Sequence, residues 1–162
     1  MITLRPVKEE DIHLFAKWWR DPELLRRTSG YVGVISDTEV EQYFTLLLSD
    51  TGRVDRIIMR DQDPIGHVNL VAHPDEWWET QIVIGEQVEW GKGYGADAVR
   101  QMLNVGLARG ITKVFLEVRP ENAAAIRAYE KCGFVHVRVE ERPENIVQPK
   151  VIRMELVQAR YT

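Results

Sequence analysis

The chain of 162 residues holds a single cysteine, Cys132, so no internal disulfide can brace it and a reducing compartment suits it. No apolar run approaches the ~20 residues of a membrane-spanning helix. The opening Met1 to Pro6 lacks the basic-then-apolar pattern of a signal peptide. Together these absences predict a cytoplasmic protein. His13, His67, His73 and His136 are scattered without metal-ligand spacing, so no metal is expected. Positive charge is not in excess: 21 Lys and Arg against 25 Asp and Glu leave a net charge of -4. That balance argues against nucleic acid as the main partner and favours a cationic one. With no repeat, low-complexity tract or linker, residues 1–162 read as one domain, long enough to bury roughly 70% of the surface of its unfolded chain.

What is present alternates between two periods. Ile2 to Val7 reads as a strand, and Lys8 to Trp19 carries Ile12, Phe15, Ala16 and Trp19 at helical spacing, stopped by Asp21-Pro22. Ser36-Asp37-Thr38-Glu39 is a capping-box pattern ahead of Val40, Tyr43, Phe44 and Leu47. Arg53 to Arg60 and Ile65 to Val71 read as a hairpin around Asp61 to Pro64, and Trp77 to Gly85 as a strand buried on both faces. A helix to about Arg109, a strand at Lys113 to Val118, a short helix from Asn122 to Lys131, and a strand pair, Phe134 to Glu141 with Val147 to Val157, complete the chain. The order is that of a mixed α/β protein.

The stretch Glu89 to Val99 stands out. Gly91, Gly93 and Gly95 alternate just ahead of Val99, Met102, Leu103 and Leu107, which recur at helical spacing. Glycines let a ligand approach the backbone, and first-turn N–H groups lack intrahelical partners and carry partial positive charge. An anion such as a phosphate is the natural occupant, with Lys92 adding charge. Gly91, Gly93 and Ala96 also satisfy G-x-G-x-x-G/A, with Glu117 downstream. However, Glu86 to Trp90 separates them from the preceding strand, which a dinucleotide fingerprint does not allow. A phosphate-binding G-x-x-x-x-G-K-[ST] loop is absent.

The second informative stretch is Leu116 to Phe134. Taken with the glycine loop, it resembles the GNAT superfamily of acetyl-CoA-dependent N-acetyltransferases. Trp90, Gly93 and Gly95 fill that family's [Q/R]-x-x-G-x-[G/A] signature, while Asn122, Ala125, Tyr129, Gly133 and Phe134 fill N-x-x-A-x-x-x-Y-x-x-x-G-F. The opening L-R-P and the strand Trp78 to Gly85 look like the spermidine and ribosomal-protein-alanine branches. Two departures are visible. Trp90 replaces the usual Gln or Arg, which asks more of its backbone N–H and of Lys92, and Ala96 stands where relatives often carry a hydroxyl.

The resemblance implies a mostly antiparallel central sheet of six to seven strands flanked by four helices. It also implies acetyl-CoA as co-substrate, held by Trp90, Gly91, Lys92, Gly93, Tyr94, Gly95, Ala96 and Asn122. Backbone donors at a bulge near Val83 and Ile84 would face the acetyl carbonyl. A primary amine is protonated at neutral pH, so a carboxylate must take a proton; Glu79 and Glu117 are equal candidates. Tyr129 is the implied donor to the leaving thiolate, since an ordinary phenol pKa of ~10 makes the transfer nearly balanced. Asn122 also reads as a helix N-cap, and Cys132 as a packed thiol. Acidic loop residues Asp21, Glu23, Asp75 and Glu76, with exposed tryptophans, could line an acceptor pocket. The acceptor stays open between a polyamine-like amine, a protein N-terminus and an aminoglycoside, as do homodimer formation and a non-catalytic CoA-sensing role.

Overall fold

The computed structural model describes residues 1–27, 35–146 and 149–158. Seven strands make one sheet: β1 (Ile2–Pro6), β2 (Arg53–Arg60), β3 (Asp63–Ala72), β4 (Trp78–Ile84), β5 (Lys113–Val118), β6 (Val135–Glu141) and β7 (Lys150–Val157), in the order β1-β2-β3-β4-β5-β7-β6. The expected start of the last strand at Val147 lies outside the described residues. Every neighbouring pair is antiparallel except β4 and β5, which run parallel and pair only at Trp78 with Val114 and Glu79 with Phe115. Past those two pairs the strands part, and the seam between them becomes the feature that positions the site.

Five α-helices accompany the sheet among the described residues: α1 (Ile12–Trp19), α2 (Pro22–Arg27), α3 (Asp37–Ser49), α4 (Tyr94–Ala108) and α5 (Ala123–Lys131). The sequence pattern predicts four. Pro22 does end α1, but it also opens α2, because a proline at the first helical position loses no hydrogen bond. Asp21 supports the new start by accepting from Glu23 N at 3.1 Å and Leu24 N at 3.3 Å. Asp11, whose carboxylate accepts from Arg5 at 2.8 and 2.9 Å and from Lys8 N at 2.8 Å, holds a single 3-10 turn ahead of α1. The capping box of Ser36 and Glu39 forms as expected.

Strand periodicity divides the core between the two faces. On one, Val68, Leu70, Val114 and Met154 pack with Val99 and Met102 of α4; on the other, Ile57 packs with Phe15, Trp18, Phe44 and Leu47 of α1 and α3. Each such fully buried side chain contributes about 1.5–3 kcal/mol relative to exposure. No helix among the described residues is long and apolar enough to cross a membrane.

Candidate active site

The glycine loop bridges the end of β4 and the N-terminus of α4. Gly91 and Gly93 have φ of +77° and +83°, a region that side chains with a Cβ avoid. The first intrahelical bond of α4 runs from Asp97 N to Gly93 O, so the N–H groups of Tyr94, Gly95 and Ala96 precede the helical ladder. These are the donors an anion would use. Trp90 and Lys92 play other parts. The Trp90 backbone N–H donates to Gln87 O at 3.1 Å, closing a 3-10 turn, and its indole Nε1 donates to Ile84 O at 2.7 Å. The backbone donor expected at Trp90 is therefore already engaged, and the ring fastens the loop to β4 instead. Lys92 Nζ lies 3.2 Å from the buried Glu89 carboxylate, which also accepts from Arg60 at 2.9 Å. Burial pushes the Glu89 carboxyl up, but hydrogen bonds from Lys92 and Arg60 outweigh it and hold the group below the ordinary range.

Where β4 and β5 part, a cleft of about 490 Å³ opens, lined by Glu79 to Val83, Leu116 to Arg119, Asn122, Ala125 and Tyr129, with Trp19 and Leu25 at its other side. Ile82 packs toward the α4 face and Val83 toward the α1 face, so the cleft pierces the sheet and has a wall on each side. The ladder explains which β4 donors look into the seam. His73 N bonds Trp77 O and Gly85 N bonds Ile65 O, placing the β3-facing bonds on odd residues. The N–H groups of Ile82 and Ile84 consequently turn toward the seam. Ile82 lines the cleft whereas Ile84 lies outside it.

The expected bulge near Val83 and Ile84 is not an inserted residue, because β3 and β4 pair without a shift from Gly66–Ile84 to Ala72–Trp78. A close approach takes its place. A Cβ on Gly66 would lie 2.2 Å from the Val83 carbonyl oxygen and 3.0 Å from Ile84 Cα. The Val83–Ile84 peptide leans into that space, with its N–H directed the other way as in any trans peptide.

The two candidate carboxylates share the cleft but not their surroundings. Both oxygens of Glu117 are held by Arg142, Oε1 at 2.9 Å and Oε2 at very short range, and Arg142 also reaches Glu140 at 2.9 Å. Glu79 has a gentler partner, His73 Nε2 at 3.0 Å from Oε1, whose ring is edged by Phe115. The Tyr129 hydroxyl has no hydrogen-bond partner among the described residues. Burial, with a smaller push from Cys132, raises its pKa to about 12. This phenol is therefore a weaker acid than the ordinary one expected, and it carries its proton at neutral pH. Asn122 Oδ1 accepts from Ala125 N at 3.2 Å, capping α5, and the residue lines the cleft.

Cys132 is half-buried, its thiol 3.6 Å from Ala96 O and pushed up by burial, the setting of an inert packed thiol. Asp21, Glu23, Asp75 and Glu76 do not line the cleft, since loop position alone does not aim a side chain. Three residues escape sequence reading. His73 and Arg142 do not line the cleft but touch its carboxylates Glu79 and Glu117, partners that folding brings near, and Thr80 lines the cleft 5% exposed with Oγ1 unpartnered among the described residues. Among the described residues no group of three or more His, Cys, Asp or Glu could hold a metal ion.

A loop at a helix start thus stands beside a seam that pierces the sheet. The acetyltransferase (GNAT) domain model matches residues 1–135, and the chain belongs to that family of acetyl-CoA-dependent N-acetyltransferases. It is 26% identical to the aminoglycoside N(6')-acetyltransferase type 1 of Klebsiella pneumoniae, over 98% of this chain and 83% of that protein. Its fold is similar to the spermidine N-acetyltransferase of Vibrio cholerae solved with CoA and spermine, with a TM-score of 0.85, 25% identity, and 99% and 97% of the two chains covered. An aminoglycoside acetyltransferase solved with coenzyme A shares the fold at a TM-score of 0.79 and 22% identity, covering 97% of this chain and 95% of that one.

Proposed function

We propose that this acetyltransferase modifies a primary amine of a small polyamine-like molecule, which attacks directly while both substrates are bound. The observation that carries the reading is the cleft that pierces the sheet, because two substrates can meet in it from opposite faces. The unpaired N–H groups at the start of α4 and the open backbone at Gly91 and Gly93 suit a pyrophosphate, and the seam suits an extended arm. Acetyl-CoA supplies the activated acyl thioester. Tyr94, Gly95 and Ala96 hold its anionic end, the Asn122 NH2 and Ile84 N–H hold the arm, and the Ile82 N–H faces the acyl oxygen.

Glu79 is the base. Glu117 would have to give up two hydrogen bonds from Arg142 to accept a proton, whereas Glu79 has one oxygen beyond its contact with His73. Glu117, Glu140 and Arg142 together carry one net negative charge beside the cleft, which favours a cationic acceptor. The cleft volume suits a small molecule better than a protein chain. An aminoglycoside amine is the second reading, favoured by the likeness to the Klebsiella enzyme along 98% of this chain.

A panel of polyamines, aminoglycosides and N-terminal peptides, assayed for release of CoA thiol, tests the acceptor. Polyamines are expected to be turned over, with Glu79→Gln lowering kcat/KM by about 10²-fold or more and Glu117→Gln by less. Turnover of peptides alone, or full activity in Glu79→Gln, would defeat the reading.

A further inference from the structure

Thr80 is the one residue among those described whose buried side-chain oxygen or nitrogen has no hydrogen-bond partner. A strand position 5% exposed is ordinarily filled by valine, because a desolvated, unpaired hydroxyl costs about 1–3 kcal/mol. Its place explains the exception. Glu79 with Phe115 is the last pair between β4 and β5, so Thr80 is the first residue of β4 past the point where the strands part. It stands at the apex of the seam and lines the cleft together with Tyr129, whose hydroxyl also lacks a partner among the described residues. Thr80 and Tyr129 thus line one cleft, each with a hydroxyl that lacks a partner among the described residues, and an arm threaded into the seam would pass between the strands there.

We propose that Thr80 contacts the ligand: its hydroxyl donates a hydrogen bond to the sulfur of bound CoA, beside the Tyr129 phenol, and shares the charge on that sulfur. This rests on the direct-attack reading above. As the amine nitrogen bonds the acyl carbon, the carbon–sulfur bond breaks and its electron pair stays on sulfur. Tyr129 supplies the proton and regains one from the amine through solvent; Thr80 keeps its own. Full proton transfer from a phenol as reluctant as Tyr129, at about 12, lags behind the departing thiolate, and a second donor spreads the charge on sulfur until the proton arrives.

The test compares Thr80→Val, Thr80→Ser and Tyr129→Phe with the wild type in three measurements: melting temperature without ligand, affinity for CoA as a function of pH, and turnover. The other ionisable groups lining the cleft, Glu79, Glu117, Arg119 and Tyr129, are unchanged in the Thr80 variants. The thiol of bound CoA is expected to ionise about one pH unit higher in Thr80→Val, and turnover to fall about tenfold, as for one hydrogen bond to a charged acceptor. Thr80→Ser restores both, and unliganded Thr80→Val melts no lower than wild type. A Thr80→Val protein with an unchanged CoA pH profile overturns the proposal, as does a loss that Thr80→Ser fails to restore. If no amine releases CoA thiol, the direct-attack reading fails, while the CoA pH profile still decides the role of Thr80.

Discussion

Gly66→Ala tests whether the wall of the cleft is held by backbone contact. The added methyl would meet the Val83 carbonyl oxygen at 2.2 Å, Ile84 Cα at 3.0 Å and Val83 C at 3.1 Å. All three are backbone atoms, so no rotamer change relieves them, and restoring ordinary contact requires about 1 Å of strand movement. Overpacking of this kind costs about 1–3 kcal/mol, and the rigidity of the contact places Gly66→Ala near the upper end. For a chain of this size that is a fall of roughly 5–10 °C in Tm. The strand that moves carries the Ile82 and Ile84 N–H groups, and a 1 Å misplacement of positioned donors costs about 10²-fold in rate. Thermal melts of the unliganded protein, read beside kcat/KM and acetyl-CoA affinity, measure both effects. A Gly66→Ala protein with wild-type Tm and wild-type kcat/KM would refute the argument that β4 is seated on the missing side chain.

Two further outcomes separate ligand contact from folding. At Gly95 an added Cβ would meet only Ile82 Cδ1 at 3.9 Å and Ile84 Cγ1 at 4.0 Å, which is ordinary contact. Gly95→Ala should therefore melt at or above the wild-type temperature while CoA affinity by calorimetry falls; unchanged affinity would remove Gly95 from the binding site. Asp55 is buried and accepts from Arg53 at 2.7 and 2.9 Å and pairs with His67 Nε2 at 2.8 Å. Burial pushes its carboxyl up, but these hydrogen bonds outweigh it and leave the folded pKa below the ordinary value. The stability this group contributes is complete above its unfolded pKa of ~3.9 and is lost as pH falls through the lower folded value. Asp55→Asn should cost roughly 3 kcal/mol at neutral pH and flatten the Tm profile in that acid window; an unchanged acid profile would count against the linkage.

Much of the molecule was legible because its signals are local. The capping box at Ser36 and Glu39, the glycines before α4 and the Asn122 cap each act within one turn of chain, so residue spacing suffices to find them. Pro22 shows the limit of that logic: a proline that stops one helix and one that starts the next read alike, and Asp21 decides between them by capping α2. Glu79 and Glu117 were indistinguishable as strand carboxylates. Folding separated them by setting Arg142, 25 residues along the chain, on Glu117 and His73 beside Glu79.

By itself the sequence determined the family, the glycine loop and the tyrosine helix, since these depend on backbone conformations and side-chain types at short, fixed spacing. The tertiary structure alone decided the strand order, the apex of the seam at Thr80, the peptide seated against Gly66 and the freedom of one carboxylate over the other. Those features arise where strands distant in sequence meet or part, and the free energy of a buried polar group depends on what surrounds it rather than on what precedes it.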